Sequence, residues 1–166
     1  MKILGIDPGT RQSGWVIYDS DNHSITSSGI WDNEALLSAI TDFNFDVMAI
    51  EMVASYGKPV GVETFETVFW IGRFAQLSES INRYVRRYYK KTDINPSICF
   101  NANVKDAMIR RALLDMFPKD GGGSEPSVGT KKQPGALYGI NSHMLPALAV
   151  ALTHALKKGL IEYKTY

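Results

Sequence analysis

The chain has 166 residues, 45% of them hydrophobic and 21% charged, the balance of an ordinary globular protein long enough to bury a core within one domain. Its one cysteine, Cys99, excludes an intrachain disulfide and a cysteine-rich zinc site, and neither a membrane-spanning run of roughly 20 apolar residues nor a secretory leader is present, so a soluble cytoplasmic protein is expected. The net charge of +1 hides an asymmetry, −6 over residues 1–57 and +7 over residues 58–166, which suits either cations held between the protein and a polyanion or an uneven solvated surface.

Lys2 to Asp7 reads as a buried strand that ends in an acid and runs into a Pro8-Gly9 turn. A carboxylate at such a strand end is costly unless it is hydrogen-bonded, paired or bound to a cation, so Asp7 is either a ligand or a turn-maker that accepts backbone N–H groups. Ser13 to Asp19 alternates as a second strand, and Asp21-Asn22 turns the chain into a third around Ser24 to Trp31. Asn33 to Asp42 predicts a short helix with Leu36, Leu37 and Ile40 on one face. Phe45 to Glu51 predicts a fourth, deeply buried strand that also ends in an acid. If the first and fourth strands are parallel neighbours, Asp7 and Glu51 converge at one sheet edge.

Beyond a Gly- and Pro-punctuated loop from Met52 to Gly61, helical spacing of Val62, Phe65, Phe69, Leu77 and Ile81 predicts one long helix from Val62 to about Tyr89. That helix reads as core or subunit interface, with Gly72 marking a close approach. Ile94 to Phe100 predicts a fifth strand. Val104 to Phe117 predicts a helix stopped by Pro118, with Ala107, Met108, Ala112, Leu113 and Met116 inside. Lys119 to Gln133, rich in Gly, Ser, Pro and Lys, predicts a mobile loop, and Leu145 to Lys158 an alanine-rich closing helix.

Two acids at adjacent strand ends suit divalent ions held by hard oxygen ligands, the arrangement that hydrolyses phosphodiesters. A third candidate ligand is His143, just before the last helix, although a lone histidine at a helix start is in general more often a surface or capping residue.

Four stretches in order, GIDPGT at Gly5 to Thr10, IEMVASYGKPVGVETFETVFWIGRF at Ile50 to Phe74, GTKKQPGALYG at Gly129 to Gly139 and HMLPALAVALTHAL at His143 to Leu156, together resemble RuvC-type Holliday junction resolvases, phage forms in particular. The first stretch also opens actin-like sugar kinases, which need two such domains and a far longer chain. The resemblance implies an α/β, RNase H-like fold with a mixed five-stranded sheet flanked by helices. It also implies a homodimer and Mg²⁺- or Mn²⁺-dependent nicking of a four-way DNA junction in a bacterial or phage-infected cell. By position Asp7, Glu51 and His143 match the family's catalytic, metal-binding residues. Pro146 stands where many members carry a fourth acid, and proline binds no metal.

Proline also bears on the last helix: regular helix is expected to start at about Pro146, with His143 on the preceding turn. Where the family presents a wedging Phe to the junction centre, this chain has Ala54, and the nearest aromatic, Tyr56, either stacks on an unpaired base or caps the sheet edge. Lys105 matches a basic residue that the family uses near the scissile phosphate, or is a solvated helix-start lysine. Lys58, Lys131 and Lys132 are expected to contact phosphates, and the Gly121–Gly123 run to let its loop order on DNA. Two readings result: a junction-resolving endonuclease, or a branched-DNA binding protein that lost turnover because Pro146 replaced a metal ligand.

Overall fold

A computed structural model describes residues 1–166. The elements are β1 (Lys2–Asp7), β2 (Gln12–Asp19), β3 (Ser24–Asp32), α1 (Asn33–Ala39, continued by a 3₁₀ turn Ile40–Asp42), β4 (Val47–Met52), α2 (Val62–Ser80), β5 (Tyr84–Tyr89), α3 (Asn95–Cys99, entered through a π-type turn Lys90–Ile94), α4 (Asp106–Asp115) and α5 (Met144–Lys157). The expected mixed five-stranded sheet is present, in the order β3-β2-β1-β4-β5. β1, β2 and β3 pair antiparallel, whereas β4 runs parallel to both β1 and β5. No helix is long and apolar enough to cross a membrane.

Strand parity divides the core. Side chains alternate across a pleated strand, so Ile3, Val16, Tyr18, Val47 and Ala49 face α4 and α5, while Leu4, Ile6, Trp15, Ile17, Met48 and Ile50 face α1 and α2. Asp7 and Glu51 share the parity of Ile3, Val47 and Ala49, which puts both carboxylates on the α5 side of the sheet. α5 lies directly on β1 and β2. A Cβ at Gly5 would strike the Ala147 carbonyl oxygen and stand 2.9 Å from Ala151 Cβ, and one at Gly14 would strike the His143 backbone. No larger residue fits between the sheet and this helix at either point.

The long helix expected from Val62 to Tyr89 is two elements. α2 stops at Ser80 in a Schellman motif: Asn82 takes a left-handed conformation (φ 59°), its N–H donates to the Glu79 carbonyl, and the Arg83 N–H donates to the Ser78 carbonyl. Tyr84 to Tyr89 then pairs with β4 as the outer strand, its exposed Arg86 and Arg87 guarding the free edge. The strand expected at Ile94 to Phe100 is instead the short helix α3, with Pro96 in its first turn, a position proline favours. The inward face of α2 is also not the expected one. Thr67, Ile71, Phe74 and Ser78 are buried, whereas Val62, Phe65 and Phe69 are 72%, 64% and 59% exposed. Gly72 has open space around it and marks no close approach.

On α4, Ile109, Leu113 and Leu114 point inward and Met108 outward, a correction to the expected buried side. The expected mobile loop is tied down. Gly121 N–H donates to the Pro126 carbonyl, Gly122 N–H to that of Gln133 and Gly135 N–H to that of Val128. The buried Ser127 hydroxyl donates to the Leu114 carbonyl at 2.6 Å, and Arg110 holds Glu125 with two hydrogen bonds of 2.7 and 2.6 Å. The substitution Gly5→Ala, which must displace α5 backbone, is expected to destabilise the fold by about 3 kcal/mol, readable as a lower urea midpoint.

Candidate active site

β1 and β4 pair in register, Ile6 opposite Ile50, so their next residues, Asp7 and Glu51, leave the sheet side by side at its C-terminal edge. The turn behind Asp7 is closed by other residues. Gly9 N–H donates to Ser13 Oγ at 3.3 Å, Ser13 Oγ–H donates to Asn33 Oδ1 at 2.6 Å, and Asn33 Nδ2 donates to the Gly9 carbonyl at 2.9 Å. Ser13 and Asn33 are each 1% exposed, so this network is built into the core. Asp7 therefore is not the turn-maker, and its carboxylate is left free for another partner.

The Asp7 carboxylate has one hydrogen-bond partner. His143 Nδ1–H donates to Asp7 Oδ2 at 2.8 Å, with the Asp7 side chain 17% exposed and the imidazole 65% exposed. Burial pushes the Asp7 carboxyl above the usual aspartate range, against the pull of the His143 hydrogen bond. No hydrogen bond or ion pair reaches Glu51. Burial first, and then the neighbouring Asp7 charge, push its carboxyl up to about 7.

α5 begins at Met144 with His143 as its N-cap, two residues before the start expected at Pro146. Pro146 is then the third helical residue, whose N–H would lack an intrahelical partner in any case, and the Ala147 N–H makes the first α-type bond, to the His143 carbonyl. Ser142, at φ 44°, turns the chain sharply into the cap. The close approach at Gly14 then fixes where the histidine can stand.

A pocket of about 340 Å³ opens beside these residues, lined among others by Glu51, Lys90, Asn95, Asp106, His143 and Pro146. Two of its charged residues, Lys90 and Asp106, are absent from the set expected from sequence. Lys90 Nζ donates to Asp106 Oδ1 at 2.6 Å. Burial works against the Lys90 ammonium, but the Asp106 hydrogen bond and the charges of Glu51, Asp106 and Asp7 raise its pKa above the usual lysine value. The available signal was strand register: Tyr89 pairs with Met52, so the residue after β5 stands at the same sheet edge as Glu51. In the sequence this register is hidden, because Tyr84 to Tyr89 fits a helical pattern as well as a strand.

The remaining expected residues are distributed around this edge and beyond it. Lys105 is the exposed N-cap of α4, next to Asp106 at the pocket. Tyr56 and Lys58 lie on the loop leaving β4. The Tyr56 hydroxyl accepts the Lys91 N–H at 3.2 Å, and the Lys91 ammonium sits 4.7 Å from the ring centroid, so the ring is held at the sheet edge while 45% exposed. Lys131 and Lys132 are exposed on a turn whose hydrogen bonds lead to the Gly-rich segment and to the C-terminal end of α4, and they do not line the pocket.

As a metal site, Asp7 and Glu51 offer hard oxygen donors with no cation paired to Glu51. Asp7, Glu51 and His143 do not close into a three-ligand cage. Two carboxylates without a cage fit Mg²⁺, which keeps several waters and takes the rest of its shell from substrate phosphate, better than they fit a metal needing four protein ligands.

Neither a family model nor a curated protein sequence matches the chain. Among solved structures, Thermus thermophilus RuvC superposes with a TM-score of 0.66 at 17% identity, over 100% of both chains. The T. thermophilus RuvC complex with a Holliday junction substrate gives 0.64 at 17% identity, over 100% of this chain and 99% of that one. Fowlpox virus resolvase in complex with substrate Holliday junction DNA gives 0.56 at 13% identity, over 98% and 100%. The chain has the RuvC-type, RNase H-like fold.

The raised Glu51 pKa has a stability consequence for the metal-free chain. The folded state holds a proton on Glu51 that the unfolded state has released, so this contribution is full below the ordinary value of 4.5 and is lost as pH rises to about 7. Wild-type protein in chelator is expected to lose up to about 3 kcal/mol of stability across that window, and Glu51→Gln to lose less, as read by urea unfolding at stepped pH.

Proposed function

We propose that the chain is a single-domain, metal-dependent endonuclease that resolves four-way DNA junctions or related branches. The observation that carries this reading is the pair of half-buried carboxylates, Asp7 and Glu51, at one edge of parallel strands in a fold shared with two junction-bound resolvases. A fold alone does not assign an activity, and the pair supplies the chemistry that the fold leaves open.

In this reading Asp7 and Glu51 hold Mg²⁺ or Mn²⁺, and His143 either joins them or orients Asp7 through its 2.8 Å hydrogen bond. Bound there, a divalent ion supplies charge to the phosphate oxygens and acidity to an attacking water. The carboxylates place that charge, and their half-buried setting strengthens it by lowering the local dielectric. Hydrolysis with departure of the 3′ oxygen leaves 5′-phosphate and 3′-hydroxyl ends. Lys105, next to the pocket, contacts the backbone near the scissile phosphate, while the loop residues Lys58, Lys131 and Lys132 reach other phosphates of the duplex arms. Tyr56 stacks on a base where the arms part.

Two strands of a junction must be cut, which calls for two active sites. The exposed apolar face of α2, formed by Val62, Phe65, Val68 and Phe69, supports a homodimer.

The second reading, a branched-DNA binding protein without turnover, has one observation in its favour: Pro146 lines the pocket beside Glu51 where a carboxylate would add a ligand. Nicking of a synthetic four-way junction separates the two. Wild-type protein is expected to cut with Mg²⁺ or Mn²⁺ and to stop on chelation, and Glu51→Gln to abolish cutting while junction affinity stays within about twofold, since Glu51 neutralises no phosphate. Binding without cleavage in both metals would establish the second reading, and a Glu51→Gln variant that still cuts would remove Glu51 from the mechanism.

A further inference from the structure

The pocket's charges are uneven once existing pairs are counted. Arg110 is committed to Glu125 by two hydrogen bonds, and His143 is bonded to Asp7. Glu51 has no partner. Asn95 is 2% exposed, lines the same pocket and has its Oδ1 buried without a donor. The other cation that lines this pocket is Lys90, whose ammonium is 2.6 Å from Asp106 and whose pKa the charges of Glu51, Asp106 and Asp7 raise. Its side chain is 40% exposed, so it lies at the pocket mouth and not in the sealed core.

We propose that the Lys90 ammonium is the resident cation of this carboxylate pocket and takes the place of a second divalent ion, so that the site binds one ion, at Asp7 and Glu51, with Lys90 supplying the remaining positive charge beside Pro146. The proposal rests on the metal-dependent reading of the site. Charge parity supports it. Asp7, Glu51 and Asp106 carry three negative charges when ionised, which one divalent ion and one ammonium balance. A second divalent ion beside Lys90 would leave the pocket strongly positive, and Pro146 offers it no ligand. Asp106 holds Lys90 at this station, so it acts as a positioning residue. In a junction complex the ammonium is a point charge available to the phosphate oxygens without having to be recruited from solution.

The test counts Mn²⁺ on the full chain by electron paramagnetic resonance, without DNA. Wild type is expected to bind one ion. Lys90→Met should take up a second ion or hold the first about tenfold more tightly, because a like charge has been removed from the pocket. Lys90→Arg, which keeps the charge, should behave as wild type, and Lys90→Gln should repeat the Lys90→Met result with a side chain that retains polarity. Wild type binding no ion or two ions overturns the proposal, as does a Lys90→Met or Lys90→Gln chain that folds and binds Mn²⁺ no more tightly than wild type. Junction cleavage measured in parallel bears on the nuclease reading alone: a chain that counts one ion, gains affinity on losing Lys90 and cuts no junction sinks that reading and leaves the Lys90 assignment standing.

Discussion

The contact on which the site depends is the seating of the α5 backbone directly on β1 and β2, at the two glycines 5 and 14. Helices usually stand about 10 Å off a sheet, separated by the side chains of both layers. Here the near layer is stripped to hydrogen at two points, and the start of the helix drops onto the strand ends. One consequence is packing: Ala147, Leu148, Ala151 and Leu152 are all 0% exposed. The other is chemical. The His143 imidazole comes within hydrogen-bonding distance of Asp7, and Pro146 forms a wall of the pocket. Packing of the core and geometry of the site therefore share one set of atoms.

Two half-buried carboxylates at the ends of neighbouring strands are unfavourable in the free protein, and the surroundings relieve them unequally. Asp7 receives a histidine, while Glu51 receives nothing and is pushed toward protonation near neutral pH. Such an arrangement weakens the fold and favours cations. The electrostatic strain lies at the C-terminal edge of β1 and β4. Lys90 lines the pocket and Lys105 stands next to it, and neither pairs directly with Glu51.

Much of this was legible in the sequence, for identifiable reasons. β1 and β4 are short apolar runs that stop at an acid, and a parallel pairing makes both acids emerge together. Parity did the rest, because Asp7 and Glu51 lie an even number of residues from core positions on the α5 side. The failures cluster between Ser80 and Phe100. There α2 ends at an asparagine in the left-handed conformation, where glycine would have been conspicuous, and the arginines and tyrosines of β5 fit a helical pattern as well as they fit an edge strand. Displacing that strand hid Lys90, since only its register with β4 brings it to Glu51. The facing of α2 was misread for a different reason. Its inward positions include Thr67 and Ser78, so an apolar stripe does not mark the buried side. Pro146 does not forbid the earlier start: a third helical residue needs no donor, and the helix begins at Met144.

The Ser13–Asn33–Gly9 network has a kinetic meaning as well as a geometric one. Asn33 is 24 residues from Gly9 along the chain and belongs to the first turn of α1, beyond the end of β3. The turn that aims Asp7 cannot close until the β1–β2–β3 meander has formed and delivered that asparagine, a closure over 24 residues. Asp7 thus acquires its orientation late, after the strands that carry it. A nascent or partly unfolded chain holds the carboxylate without its aim, and only the assembled sheet turns it toward His143.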